Sequence, residues 1–236
     1  MLRLALILFW FFLVSSPVWS QTPDESGDYS GTAARKQNPL AVSIARLQYG
    51  GGGDWYLGNS SLPNLLKFIA EQTGWPVDQE EKRVRIEDED FFSCPFIFVT
   101  GHGTIRFTDS ENERLRRYLL SGGFLLINDS YGMEESVRRA VAGLFPEYSF
   151  QEIPFDHPIY HCVYDFPGGP PKIHEHDNKS ASGWGIAVAG RIVLFYLNES
   201  DIGDGWEDPA VHNDPEEKRL EALKMGLNIV AYAMAY

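Results

Sequence analysis

The chain has 236 residues, 44% hydrophobic and 22% charged, which is enough apolar content for a packed core and excludes wholesale disorder. Lys and Arg number 20 against 33 Asp and Glu, a net charge of −13. That balance excludes a protein that grips nucleic acid by displacing counterions from phosphate.

Met1-Leu2-Arg3 is a short basic start, residues 4–14 are apolar, and Val18 and Ser20 fit the small-residue pattern of a cleavage site. Residues 1–20 therefore read as a signal peptide and the protein as exported, periplasmic or secreted. The apolar run falls short of the roughly 20 residues that span a bilayer, so no membrane span is expected after cleavage. Residues 21–39, rich in Gly, Pro, Ser and acids, read as a flexible leader, and residues 40–236 as one α/β domain.

Residues 42–47 read as a strand opening into Gly50-Gly51-Gly52-Gly53-Asp54-Trp55. Leu62, Leu65, Leu66 and Ile69 follow helical spacing, with Pro63 at the helix start and Gly74 at its end. A short strand is expected around Val84 and Ile86. Residues 96–99 are continuously apolar, as a strand covered on both faces should be, and end in Thr100-Gly101-His102-Gly103. Thr108 and Glu111 form a capping box for a helix that stops at Gly122-Gly123.

Residues 124–127 read as a buried strand emptying into a loop, Asn128-Asp129-Ser130-Tyr131-Gly132, before a helix marked by Val137, Ala140, Val141 and Leu144. A strand is expected over residues 148–153, then an irregular stretch crowded with Pro and His. Ala189-Gly190 reads as the turn of a hairpin between residues 184–188 and 192–197. A long acidic loop, residues 198–215, precedes a closing helix. Alternating strands and helices predict an α/β sandwich with a mainly parallel sheet and a late antiparallel hairpin.

In such sheets ligands bind beyond the carboxyl ends of the strands. Residues 50–55, 101–103, 128–132 and 198–208 all follow predicted strands, so the expected ligand-binding residues are Gly51, Gly52, Gly53, Asp54, Trp55, Gly101, His102, Gly103, Asp129, Asp201 and Asp204. Gly50 to Gly53 could present backbone N–H groups to a ligand, or form a plain loop under Trp55. They lack the ending of a P-loop and the spacing of a dinucleotide turn. His102, Asp129, Ser130 and Asp201 are the catalytic candidates. A divalent metal could draw on His102, Asp129, His157 and His161, joined by Asp201, though no spacing demands it. His157 and His161 are four apart, but Pro158 makes Asp156-His157-Pro158 a turn. His174-Glu175-His176-Asp177 would put both imidazoles on one face of a strand. Asp201, Asp204, Glu207 and Asp208 surround Trp206 without an EF-hand pattern. Cys94 and Cys162 leave a disulfide or two free thiols open.

Arg46-Leu47-Gln48-Tyr49 through Trp55-Tyr56, Thr100-Gly101-His102-Gly103, Gly122-Gly123-Phe124-Leu125-Leu126, Asp156-His157-Pro158-Ile159, Asp201-Ile202-Gly203-Asp204-Gly205-Trp206-Glu207 and Ala222-Leu223-Lys224-Met225-Gly226-Leu227-Asn228 occur in that order. Together they resemble the bacterial domain-of-unknown-function family numbered 4159. The resemblance implies a flavodoxin-like, class I glutamine amidotransferase-like three-layer sandwich and no assigned reaction. Amidotransferases place a Cys on a Gly-flanked elbow, where this chain has Ser130 after Asn128, and the partner His expected directly after a late strand is replaced by Asn198-Glu199-Ser200-Asp201. Glutaminase activity is therefore not expected. A looser likeness to the trehalose-utilisation ThuA-like proteins, with Trp55, Tyr56, Tyr131 and Trp206 as stacking surfaces, favours a polar small molecule or carbohydrate as ligand. The alternative is a hydrolase of ester, amide or glycan bonds, metal-assisted or run by two carboxylates.

Overall fold

The backbone of this chain separates its apolar residues by the strand period of two. Along β3 (Phe96–His102), Phe96 and Phe98 feed one core while Ile97 and Val99 feed another. A computed structural model describes residues 41–236; the signal and leader expected over residues 1–39 lie outside the described residues. The other strands are β1 (Ile44–Leu47), β2 (Lys82–Val84), β4 (Phe124–Tyr131), β5 (Gln151–Glu152), β6 (Ser182–Val188) and β7 (Arg191–Asn198). They form a seven-stranded sheet in the order β2-β1-β3-β4-β7-β6-β5. The first five in that order pair in parallel, and β6 and β5 add antiparallel pairings.

Helices α1 (Ser61–Thr73) and α6 (Glu216–Ala235) bury Leu62, Leu65, Ile69, Met225 and Ile229 in the core that includes Phe96 and Phe98. Helices α2 (Asp109–Leu120) and α3 (Glu134–Leu144) cover the opposite face with Leu115, Leu119, Val137 and Val141. The result is the expected α/β sandwich. Among the described residues no helix is long and apolar enough to cross a membrane.

Local signals resolve as chemistry dictates. Thr108 Oγ1 accepts from the Glu111 N–H at 3.3 Å while the Glu111 carboxylate takes the Thr108 N–H at 2.7 Å. Gly74 closes α1 in the left-handed conformation at φ 71°. Ala189 and Gly190 both take positive φ between β6 and β7, the geometry a tight hairpin turn requires.

Four expectations change. The polar run 128–132 is not a loop, because β4 continues through Tyr131. Its polar side chains find interior partners, so burial costs them no hydrogen bonds. Residues 148–153 shorten to β5, and Ile86 falls beyond β2. The acidic loop coils into two single-turn helices, α4 (Ile202–Gly205) and α5 (Pro209–His212). Both cysteines are free, since Cys94 packs in one core and Cys162 against the other, on opposite faces of the sheet.

Candidate functional site

The loops after β1, β3, β4 and β7 meet at the carboxyl edge of the sheet, where a cleft of about 550 Å³ opens. Thr100, His102 and Ser130 line it from the strand ends, residues 56–61 from the loop before α1, and Asp204, Glu207, Asp208 and His212 from the late segment.

A buried cation positions the first of these walls. Arg46 in β1 is fully buried and pairs with Glu81 at 2.9 Å. Its guanidinium also donates to the carbonyls of Leu57 and Gly58 at 2.5 and 2.8 Å and to Ser61 Oγ at 3.1 Å. Loop 55–61 is thus fastened to the sheet by one side chain, whose charge is matched by a carboxylate and three neutral acceptors.

The glycine run serves close packing. Gly50 and Arg106 form an antiparallel bridge, and the Gly53 N–H is used on the Thr104 carbonyl at 3.1 Å. A Cβ on Gly51 would come within 2.7 Å of Thr104 O, and one on Gly53 within 2.6 Å of the Tyr49 hydroxyl. These contacts explain Gly51 and Gly53 without a bound anion, while Gly52 lies in open space at φ 92°. Gly101, at φ 141°, is equally crowded by Tyr49 and Asp54. Gly103, at φ 82°, closes the turn after β3. Trp55 packs partly buried against the second core.

Asp54 acts on His102. Its Oδ1 takes the His102 backbone N–H, and Oδ2 lies 3.1 Å from His102 Nδ1. The imidazole is half exposed toward the cleft, with one ring nitrogen fixed by a carboxylate. That arrangement orients a general base or a hydrogen-bonding group.

Asp129 and Ser130 play other parts. The Asp129 carboxylate accepts from Tyr131 N at 2.9 Å, Met133 N at 3.0 Å and the Tyr196 hydroxyl at 2.7 Å. Burial pushes its pKa up and these three donors pull it back. Its lone pairs fasten the start of α3 to β7, which explains its place without catalysis. Ser130 Oγ lies 3.3 Å from Thr100 Oγ1 and accepts from Asn128 Nδ2 at 3.4 Å. No imidazole partners it among the described residues, so the Ser–His dyad of a serine hydrolase is absent here.

The late motif Asp201 to Glu207 divides its residues between two tasks. Gly203 abuts Asn128, whose Oδ1 takes the Gly203 N–H at 3.2 Å; a Cβ on Gly205 would come within 2.5 Å of Ala222. Trp206 is fully buried and donates to the Ala222 carbonyl at 2.8 Å, which corrects its expected role as a stacking surface. With those residues turned inward, the acids collect on the other side. His174 Nδ1 lies 3.3 Å from Asp204 and 3.8 Å from Asp201, and His176 Nε2 lies 2.5 Å from Asp201. His212 meets Glu207 at 2.8 Å and Asp204 at 3.9 Å.

The metal set expected from the sequence is corrected by this geometry. Among the described residues, the groups of three or more side chains able to share an ion are His174, His176 and Asp201, and His174, Asp204 and His212. His102, Asp129, His157 and His161 belong to neither. His157 caps a 3₁₀ turn by accepting the Ile159 N–H, and burial lowers its pKa. His161 is held by Asp165 and the Phe155 carbonyl, which raise its pKa. Pro158 sets both apart by starting that turn rather than an α-helix. The strand expected to carry His174 and His176 does not form, although both imidazoles reach Asp201; their acidic partners, 25 to 40 residues away, carry no local signal.

The family model described as a domain of unknown function (DUF4159) matches residues 43–234. No curated protein matches the chain.

Proposed function

From the chain's membership of the DUF4159 family, whose description assigns no reaction, and from the cleft itself, we propose that the carboxyl edge of the sheet binds a polar, hydroxyl-rich small molecule or carbohydrate. One observation carries this reading. The cleft is walled on one side by His102, oriented by Asp54, and on the other by Asp204, Glu207 and His212. Carboxylates accept from hydroxyl groups and imidazoles can do either, while exposed Tyr56 offers an aromatic edge. Strand order β2-β1-β3-β4-β7 supports the flavodoxin-like, amidotransferase-like class, whose ligands sit at this edge. Export, read from residues 1–20, belongs to the same proposal.

Hydrolysis is the second reading, favoured by the Asp54–His102 pair, since a carboxylate behind an imidazole is the arrangement of a general base. Glutaminase chemistry has no support: Cys94 precedes β3, at the far edge of the sheet, and Ser130 has no imidazole partner.

The test is a thermal-shift panel of mono- and oligosaccharides on the full chain. A sugar at a hundredfold excess over its dissociation constant stabilises by about 2.7 kcal/mol, which raises Tm by roughly 5–10 °C. The reading requires a hit whose shift disappears in both His102→Ala and Glu207→Gln. A panel without hits, or a shift that survives both changes, overturns it.

A further inference from the structure

Asp201 is the most unusual acid in the molecule. It is fully buried and takes φ 52°, the left-handed region that favours glycine, two residues after Glu199 at φ 59°. A non-glycine residue held there costs energy that the surrounding structure must offset, and such positions cluster at functional sites. Its Oδ2 lies 2.5 Å from His176 Nε2, while its Oδ1, buried, has no hydrogen-bond partner. A buried carboxylate oxygen without a donor needs an explanation, and a bound cation is one.

The neighbouring imidazole is prepared for that role. His174 Nε2 sits 3.1 Å from each oxygen of Asp214. A proton on Nε2, shared with that carboxylate, leaves the Nδ1 lone pair facing Asp201 and Asp204. A carboxylate behind the outward nitrogen is the arrangement that orients metal-binding histidines. The segment carrying both imidazoles is clamped to the strained loop. Ile173 N donates to the Ser200 carbonyl at 2.8 Å, Ser200 Oγ to the Pro171 carbonyl at 2.6 Å, and Lys172 pairs with Glu199 at 3.3 Å. The Tyr131 ring lies 4.5 Å from that of His176, and Tyr131 itself takes φ 146° at the end of β4.

We propose that His174 Nδ1, His176 Nε2 and Asp201 bind a divalent first-row transition ion, zinc by donor type, with Asp204 as a neighbouring oxygen donor at the cleft. Bonds of about 2.0–2.1 Å in a tetrahedron place neighbouring donors about 3.3 Å apart. Within the three, Asp201 Oδ2 lies 2.5 Å from His176 Nε2 and 3.8 Å from His174 Nδ1, on either side of that value, and all three donors lie within 4.8 Å of one another; Asp204 lies 3.3 Å from His174 Nδ1. Two imidazoles exclude a site made for calcium or magnesium, which take oxygen ligands. Two nitrogens and a carboxylate are the donor set of a zinc or iron(II) centre.

Protonated imidazoles are the competing account. They would hold Asp201 Oδ2 and Asp204 by hydrogen bonds, without an ion. Around the cluster four carboxyl groups, Asp201, Asp204, Asp214 and Glu207, stand against three imidazoles, His174, His176 and His212. The second group, His174 with Asp204 and His212, is less suited: its members are partly exposed, and Glu207 already holds His212.

The centre stands independently of the cleft's organic ligand, and its test uses metal alone. The full chain, stripped with a chelator, is titrated with cobalt(II) by visible absorption and with zinc(II) in competition. The expected result is one equivalent bound, weakened at least a hundredfold in His174→Ala and in Asp201→Asn, and retained in His102→Ala and His161→Ala. Because a buried variant can misfold, imidazole ¹⁵N shifts are read in the unaltered chain as well: zinc should move His174 and His176 and spare His157 and His161. Absence of stoichiometric binding, binding that survives the first two substitutions, or shifts at His157 and His161 instead would overturn the proposal.

Discussion

Asp129 and Asp201 lie at the carboxyl ends of neighbouring strands, β4 and β7, and both are buried. In both, burial is the main cause that drives the pKa upward, to about 6 for Asp201. Their surroundings differ. Asp129 accepts from two backbone N–H groups and a tyrosine hydroxyl that also reaches Asn198, so its charge is spread over three donors. Asp201 meets two imidazoles on one oxygen and nothing on the other. A buried acid whose bonds are complete is part of the scaffold. One left half-bonded, in strained backbone, beside a histidine with its own carboxylate support, is part of a site.

Substitutions can break or sharpen that contrast. The largest effect is expected on its structural side, at Arg46, a buried cation as fully matched as Asp129. Arg46→Met strands the carbonyls of Leu57 and Gly58, frees loop 55–61 and takes one of two arginines from Glu81, which keeps Arg83 at 2.7 Å, costing about 3–5 kcal/mol in denaturant unfolding. Asp129→Ala strands the Tyr131 and Met133 N–H groups at about 1 kcal/mol or more each, while Tyr196 keeps Asn198, so a loss of about 2 kcal/mol and a Tm about 4–8 °C lower are expected by calorimetry. A drop under about 2 °C would erase the distinction between the two acids.

Asp201→Asn should behave differently in metal-free protein. Since the folded-state pKa of Asp201 is raised to about 6, its ionisation opposes folding; the penalty is absent below the ordinary carboxylate range and grows as pH rises through about 6. The Asn variant should therefore gain stability relative to the unaltered chain between about pH 4 and pH 7, by about 1 kcal/mol. A loss of the size expected for Asp129→Ala would mark Asp201 as structural. Smallest of all, His102→Ala should change stability by less than about 0.5 kcal/mol, because the ring is half exposed, while removing ligand response.

Much of this fold was legible in the sequence, because its signals are local. The apolar run of β3, the capping box at Thr108, the left-handed Gly74 and the Ala189-Gly190 turn each act within a few residues. The continuation of β4 through Asn128, Asp129 and Ser130 was not legible, since a polar run reads as a loop until its distant partners are known. For the site, flanking glycines pointed to His102, and the late acidic motif to Asp201 and Asp204. The spacing that favoured His157 and His161 assumed a helix, whereas their turn gives each its own local partner. Arg46 lay inside a quoted motif without announcing its burial. His212 was missed because its partners, Glu207 and Asp204, are set by the folding of α4 and α5.

The contrast between the two acids is tested most directly by an anomalous-difference map from crystals of the full chain grown with zinc, recorded at the zinc edge. The account predicts one strong peak about 2.0–2.2 Å from Asp201, His174 Nδ1 and His176 Nε2. A peak beside Asp129, His157 or His161, or none at Asp201, would contradict it.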